Sequence, residues 1–416
     1  MRPIPEAVDT LIHPGWIVPI IPAGDVLTDF SIALKDKQIV AIVPTQETSS
    51  IEATHIHTLP EHVVMPGLIN CHGHAAMTLL RGYADDQALT PWLEKHIWPA
   101  EATHVDADFV ADGSTLAIVE MLRSGTTCFS DMYLFPEVTA KIAGDLGMRC
   151  QIALPAIDAP SRWAASADEY ISKGLALLDD AKHNDIISFV FGPHAPHTLS
   201  PDGLRKIATL SAELDIGIQI HLHETATEVL AAVERDGQRP IDTLHQLGLL
   251  GPKTQCVHMT ALGKQDIALL AETGAHVIHC PASNMKLASG SCPVTQLQNA
   301  GVNVALGTDS AASNNSLNIL NEMRLAALLA KLQSGDAAAM PAHAALAMAT
   351  INGARAMGID HKVGSLEVGK QADIIALDMN QPETLPLYNP LSQLVYACSA
   401  NKLSHSWING KLVVNE

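Results

Sequence analysis

Positive charge is scarce in this 416-residue chain: 25 Lys and Arg stand against 44 Asp and Glu, a formal net charge of −19. A nucleic-acid polymer or an anionic membrane surface would be repelled by that balance, so neither is expected as a partner. A single nucleoside is not excluded by it. Long apolar runs are missing too. The stretch WIVPIIP (residues 16–22) is too short to span a bilayer and is broken by Pro19 and Pro22. The leading MRPIPEAVDT carries two acids and two prolines and no apolar centre, so no secretory leader is expected. There is no CxxC pair: the seven cysteines (Cys71, Cys128, Cys150, Cys256, Cys280, Cys292 and Cys398) are odd in number and scattered. Several sit inside apolar stretches, where a free thiol behaves as a small buried hydrophobe, and a reducing cytoplasm fits that usage. What remains is a soluble globular composition, 47% hydrophobic and 17% charged. The length suffices for one large domain and a small one with a generous core.

The pattern along the chain is a β-rich segment, a long alternation of strand-like and helix-like segments, and a return to β texture. Residues 1–62 read as short β segments, with SIALKDKQIVAIV a hairpin about Lys35-Asp36-Lys37-Gln38. VGSLEVGKQADIIALDM, LVYACSA and HSWINGKLVVNE repeat that texture in residues 361–416. Neither end alone has enough strands to bury a face, so the two are expected to form one small β-sandwich domain. Between them, in residues 63–360, lie eight apolar strand candidates: the run Val63–Ile69, then 125–132, 147–158, 187–198, 216–225, 254–261, 275–284 and 303–313. Helical stretches such as ADGSTLAIVEMLRS and LNILNEMRLAALLAKL separate them, with apolar residues three and four apart. Eight β-then-α units with buried strands predict an α/β fold, a closed (β/α)8 barrel with its active site at the C-terminal strand ends.

Polar residues gather at those ends. PGLINCHGHA closes the first strand with His72 and His74, two residues apart and so on one side of an extended chain. His221 ends the fifth strand, His258 the sixth and Asp309 the eighth. His72, His74, His221 and Asp309 offer three nitrogens and one carboxylate, a donor set that suits a divalent ion with room left for water. Glu224 lies three residues past His221, near enough to reach such a water without ligating. Taken singly, each has a plainer reading, since a strand-end Asp usually caps the next helix and a lone His is usually structural. His223, His276, His279 and Asp131 keep that plainer reading: His223 faces outward, His276 and His279 are packed and hydrogen-bonded, and Asp131 is a helix cap. His197 sits in a loop, either exposed or functional.

The motifs PGLINCHGHA, LLRGYADDQALTPWLEKHIWPAE, GPHAPHTLS, HLHET, HCPASNMKLASG, GTDSAASNN and GSLEVGKQADIIALD span the chain from about residue 60 to its end. In them the chain resembles the amidohydrolase superfamily, and within it the 5-methylthioadenosine/S-adenosylhomocysteine deaminases. The resemblance implies a zinc-dependent deamination of an adenine-type thio-nucleoside in a (β/α)8 barrel. It implies His72, His74, His221 and Asp309 as metal ligands, and Glu224, His258 and Asp309 as the catalytic groups. For the substrate it implies Glu101 at the ribose hydroxyls, with Trp92, His194, Glu224, Asp309 and Ser313 lining the pocket. Arg162, placed by position after the third strand, would meet a substrate carboxylate. Two-metal relatives carry a bridging lysine on the fourth strand; ISFVFGPHAPHT has none, so one divalent ion per chain, Zn2+, is the expectation. Triazine hydrolases and guanine deaminases share much of this pattern, so action on another N-heterocycle, a triazine, guanine or a pterin, is the alternative, and a non-catalytic barrel is a third reading. The residues leave open whether the chain acts alone or as a homo-oligomer.

Overall fold

The computed structural model describes residues 6–180 and 184–416; the first five residues, part of the stretch read for a leader, lie outside them. Two sheets organise the chain. The strands β1 (Ala7–Ile17), β2 (Phe30–Lys35), β3 (Gln38–Pro44) and β4 (Glu52–Pro66) open it. β2 and β3 form the expected hairpin, closing at Lys35 opposite Gln38, with Asp36 in the left-handed region at φ 54°. A central series follows: β5 (Leu68–Asn70), β6 (Thr126–Asp131), β7 (Arg149–Ala156), β8 (Ile187–Pro193), β9 (Ile218–Leu222), β10 (Thr254–His258), β11 (His276–His279) and β12 (Val304–Leu306). The last strands are β13 (Ile374–Asp378), β14 (Leu403–Ile408) and β15 (Lys411–Asn415).

The central eight make one sheet in the order β12-β11-β10-β9-β8-β7-β6-β5, parallel at every neighbouring pair. Its two edges meet where the Cys71 amide donates to Leu306 O at 2.9 Å, so the sheet curls into a barrel. Parallel strands need crossovers, and helices supply them, among them Ala107–Arg123, Pro201–Leu214, Ala226–Asp236 and Ile319–Ser334. Each starts where a side chain can satisfy the free amides of the first turn. Asp106 accepts from Phe109 N–H, Ser200 from Gly203 N–H with Pro201 in the first turn, and Thr225 from Glu228 N–H.

The other seven strands form a second sheet, β15-β14-β13-β4-β1-β2-β3, built from both ends of the chain as expected. Two local expectations change. Val63 and Val64 belong to β4, where Val63–Pro66 pair antiparallel with β13, so the first barrel strand is only Leu68–Asn70. The chain changes sheet at Gly67, where a Cβ would stand 2.0 Å from Thr127 Oγ1, and no side chain fits that crossing. LVYACSA supplies no strand; its first three residues end the helix Pro390–Tyr396, which Asn389 caps by accepting from Ser392 N–H. Apolar content there reflects a helix face packed on the barrel's helices.

The barrel base is pinned to the second sheet by Arg149, whose Nε donates to Asp373 Oδ2 at 2.9 Å and Nη2 to Gln371 Oε1 at 2.7 Å. Both charges are almost fully buried, and removing one of such a pair costs roughly 3–5 kcal/mol. Among the described residues no helix is long and apolar enough to cross a membrane.

Candidate active site

The polar strand ends meet at one mouth of the barrel. β5 stops at Asn70, and His72 and His74 follow in an extended segment rather than within the strand. Asp309 lies past β12, where its own amide donates to His72 O at 3.0 Å, stitching the first and last barrel segments together at the site. Gly307 makes that approach possible, since a Cβ there would lie 2.9 Å from His72 Cβ. His258 and Asp309 adopt positive φ, 76° and 60°, a strained backbone of the kind that clusters at functional sites.

The imidazoles are arranged by what their far nitrogens touch. His221 Nδ1 faces His194 O at 2.7 Å, and His74 Nδ1 faces Met132 O. A carbonyl only accepts, so both Nδ1 atoms carry hydrogen; His221, kept neutral by burial, presents a lone pair at Nε2, whereas His74 holds a proton on Nε2 as well, donated to Asp309 Oδ1, that an arriving cation would displace. His72 Nδ1 faces Gln219 Oε1 at 2.9 Å, with the same consequence as at His221. The Nε2 atoms converge: His221 to His72 at 3.1 Å, His72 to Asp309 Oδ1 at 3.7 Å and His74 to Asp309 Oδ1 at 3.2 Å. Zinc–nitrogen bonds of about 2.0–2.1 Å give a tetrahedron with edges of roughly 3.3 Å, within that spread. Two lone pairs facing each other at 3.1 Å with no hydrogen between them need a cation, so the residues fit a divalent ion. His72, His221 and His258 also approach within ligating distance of one another. His258 differs, because its Nδ1 faces the Asn284 side-chain nitrogen at 3.0 Å; that amide donates, leaving hydrogen on His258 Nε2.

Electrostatics follow burial. Burial, with His74 beside it, pulls the His72 imidazole down to about 3, and burial holds His221 well below its usual value. Burial also acts on His74, yet the Asp309 carboxylate outweighs it and raises that ring to about 9. Burial would lift Asp309, but its contact with His74 holds it well below the carboxylate range. Burial pushes Glu224 up, against the pull of His258, whose Nε2 lies 3.7 Å from Glu224 Oε2. Ser289 Oγ donates to Glu224 Oε1 at 3.3 Å.

The substrate-side candidates surround this centre. Ser313 Oγ and Ser283 Oγ donate to Asp309 Oδ2 at 2.9 and 2.6 Å. His194 stands with its ring 4.8 Å from that of His221, its Nδ1 on Thr198 Oγ1 at 3.1 Å. Trp92 is buried in an apolar cluster with Tyr133, Leu287 and Ala312. Glu101, on the helix Trp98–His104, accepts the Tyr133 hydroxyl at 2.8 Å, and the Tyr133 ring lies 6.2 Å from that of His74. Burial raises the Glu101 carboxyl. Arg162 turns to Asp106 at 3.5 Å and Thr103 O at 3.4 Å, and is half exposed there.

Other assignments shift. Asp131 does not cap the helix after β6. It accepts from the Ala75 amide at 2.6 Å, ordering the turn that follows His74. His279 is buried, but among the described residues neither ring nitrogen has a hydrogen-bond partner, and burial with His258 nearby lowers it to about 3. His223 is buried, its Nε2 accepting from Ile241 N–H at 3.2 Å. His276 is hydrogen-bonded, to Pro252 O and to the Asn303 amide. His197 is half exposed, 3.9 Å from Glu228 Oε1. The sequence reading missed Tyr133, Gln219, Ser283, Asn284 and Ser289. Gln219 was within reach of strand alternation, because it stands two residues before His221 and so shares its face.

An eight-stranded parallel barrel whose strand ends bring three imidazoles and a carboxylate together is the frame of a metal-dependent hydrolase. The chain belongs to the amidohydrolase family, which matches residues 63–413. It is 51% identical, over 98% of its length and 92% of the relative's, to a 5-methylthioadenosine/S-adenosylhomocysteine deaminase of Teredinibacter turnerae. It is 50% identical, over 98% and 92%, to the enzyme of that name from Saccharophagus degradans. Among solved structures, an adenosine deaminase from Xanthomonas campestris with bound zinc superposes with a TM-score of 0.97 at 45% identity, covering 99% of this chain and 94% of that one.

Proposed function

We propose that this protein is a zinc-dependent hydrolytic deaminase of adenine nucleosides, converting 5′-methylthioadenosine, S-adenosylhomocysteine or adenosine with water to the inosine analogue and ammonia. Full-length similarity to deaminases of that name supports the reaction. The observation that carries the nucleoside reading is Glu101, a carboxylate held by Tyr133 beside the His74 ring, where two vicinal hydroxyls would satisfy its oxygens.

His72, His74, His221 and Asp309 would hold one zinc ion. Such an ion lowers the pKa of water from 15.7 to about 7 and so makes it a nucleophile near neutral pH. Glu224 is the proton carrier. Its raised affinity for a proton lets it take the first proton of the attacking water and pass it to the ring nitrogen beside the amino-bearing carbon. His258 donates from Nε2 to the oxygen that develops at that carbon. Asp309, held by Ser283 and Ser313, accepts the remaining proton of the attacking water and passes it to the amino nitrogen, which leaves as ammonia. His194 and Trp92 bound the pocket, Ser313 keeps Asp309 in place, and Arg162 at the outer rim would meet a 5′ substituent bearing a carboxylate. The seven cysteines are free and buried, which accords with a cytoplasmic setting.

Ammonia release tests the reading. The purified protein with zinc should release ammonia from 5′-methylthioadenosine and not from guanine, a triazine or a pterin. Release from a free heterocycle and none from the nucleosides would move the assignment to the alternative substrates. No release from any of them would leave a non-catalytic barrel.

A further inference from the structure

Barrel interiors are normally filled by layers of branched apolar side chains. Here β7, β9 and β10 each direct a glutamine inward, Gln151, Gln219 and Gln255, and all three are buried. Gln255 and Gln219 are register partners on neighbouring strands, so their amides lie at one level of the barrel. A buried amide is costly unless its donors and acceptor are all matched. The matching here is directional.

Each amide is oriented by a backbone carbonyl, a group that can only accept. Gln219 Nε2 donates to Cys71 O at 2.9 Å, Gln255 Nε2 to Ala356 O at 3.0 Å and Gln151 Nε2 to Met357 O at 3.4 Å. With the nitrogens placed, the links between amides run one way. Gln255 Nε2 donates to Gln151 Oε1 at 2.9 Å, and Gln219 Nε2 donates to Gln255 Oε1 at 2.6 Å. Ser130 closes the side of the network, its Oγ lying 3.0 Å from Gln219 Nε2, whose two hydrogens are shared among three acceptors, and donating to Gln151 Oε1 at 3.4 Å. Every hydrogen of Gln219 points away from His72, and Oε1 is left facing His72 Nδ1 at 2.9 Å. Turning the Gln219 amide over would set its oxygen against Cys71 O and Gln255 Oε1, two acceptor–acceptor contacts in the dry centre of the barrel.

We propose that Gln151, Gln255 and Gln219 are positioning residues, an amide relay that locks His72 in its Nδ1–H tautomer so that Nε2 is offered as a lone pair before any ion arrives. This rests on the reading of His72 as a ligand only for its consequence; the tautomer itself is a property of the chain. His74 and His221 reach backbone carbonyls directly. His72 is paired instead with a side-chain amide, which is held one way by Cys71 O together with the acceptor that Gln255, itself oriented by Ala356 O and Gln151, turns towards it. Outer partners that orient a ligating histidine typically change metal affinity by about 10–100-fold when lost.

The test uses the full chain labelled with 15N in its histidine rings, stripped of metal, at neutral pH. The His72 signals are identified by their loss in His72→Gln. In the wild type the 15N shifts should show a single Nδ1–H tautomer at His72. In Gln255→Met, which does not touch His72, the ring should show a tautomer mixture or Nε2–H, and zinc affinity measured by chelator competition should fall by about 10-fold or more. Gln151→Met, one link further out, should do the same to a smaller extent, and Gln255→Glu, whose carboxylate still accepts from Gln219 Nε2, should keep the Nδ1–H tautomer; a mixture there also overturns the relay. An Nε2–H tautomer in the wild type overturns the relay, as does an unchanged tautomer in folded Gln255→Met and Gln151→Met. A wild type that shows the Nδ1–H tautomer yet takes up no zinc upholds the relay and sinks the metal assignment, so the two failures are told apart.

Discussion

Tyr133 donates its hydroxyl to Glu101 across 2.8 Å, joining the end of the second barrel strand to the helix that carries the ribose candidate. The bond aims one carboxylate oxygen and leaves the other for substrate. Charge-assisted bonds of the kind expected with the 2′- and 3′-hydroxyls are worth on the order of 1.5–3 kcal/mol each. Glu101→Ala should therefore lower kcat/KM for 5′-methylthioadenosine by at least about tenfold and blunt the preference over the 2′-deoxy analogue. Tyr133→Phe, which frees the carboxylate without removing it, should cost less, about threefold to tenfold. Steady-state kinetics on the ribo- and deoxyribonucleoside checks both. If the wild type treats the two alike and Glu101→Ala changes neither, the ribose role is wrong.

Glu224→Gln keeps the size of the side chain and the Ser289 contact but carries no transferable proton. kcat should fall by roughly 10² to 10⁴-fold with zinc content retained. Elemental analysis of the variant alongside its rate decides the matter, since loss of zinc would make Glu224 a ligand or a support instead.

Three imidazoles and one carboxylate, with no lysine in β8, should load one divalent ion per chain. Metal analysis of protein refilled with excess zinc should plateau at about one equivalent, and chelation should lower the melting temperature as well as abolish ammonia release. A plateau at two ions would overturn the mononuclear assignment.

Away from the site, the rings of His405 and Trp407 stack at 5.4 Å and 10°, and His57 meets both edge-on at 5.3 and 5.2 Å. Burial lowers His405 to about 4, with His57 and His62 adding to it. Burial likewise lowers His57, and lowers His62 against the opposing pull of Asp378 and Glu61. An unfolded histidine titrates near 6.5. Between about pH 6.5 and 4 the unfolded chain thus binds more protons here than the folded one, so stability is present above that window and lost as pH falls through it. Urea denaturation across the window should show a shallower loss in His405→Gln than in the wild type, by up to about one linked proton. Equal slopes would show that the cluster titrates normally.

Much of this architecture was legible in the residues because its signals are local. Apolar runs ending in polar residues mark buried parallel strands, and strand-end histidines and aspartate mark the mouth of the barrel, so His72, His74, His221, His258 and Asp309 could be placed together before any coordinates. The hairpin at Asp36 was readable for the same reason: a turn is decided by the few residues that make it. What the tertiary structure alone decided is which distant group each of these meets. Val63 and Val64 look the same in either sheet, and only pairing with β13 assigns them to the second. The apolar residues of LVYACSA suit a strand as well as a helix face until Asn389 and the neighbouring helices choose. Asp131 finds the Ala75 amide rather than capping its own following helix, His279 finds no hydrogen-bond partner among the described residues, and Tyr133 finds Glu101. The chain Gln151–Gln255–Gln219–His72 joins residues from four barrel strands and strand ends. Hydrogen-bond direction depends on such pairings across the barrel, and no spacing along the sequence encodes them.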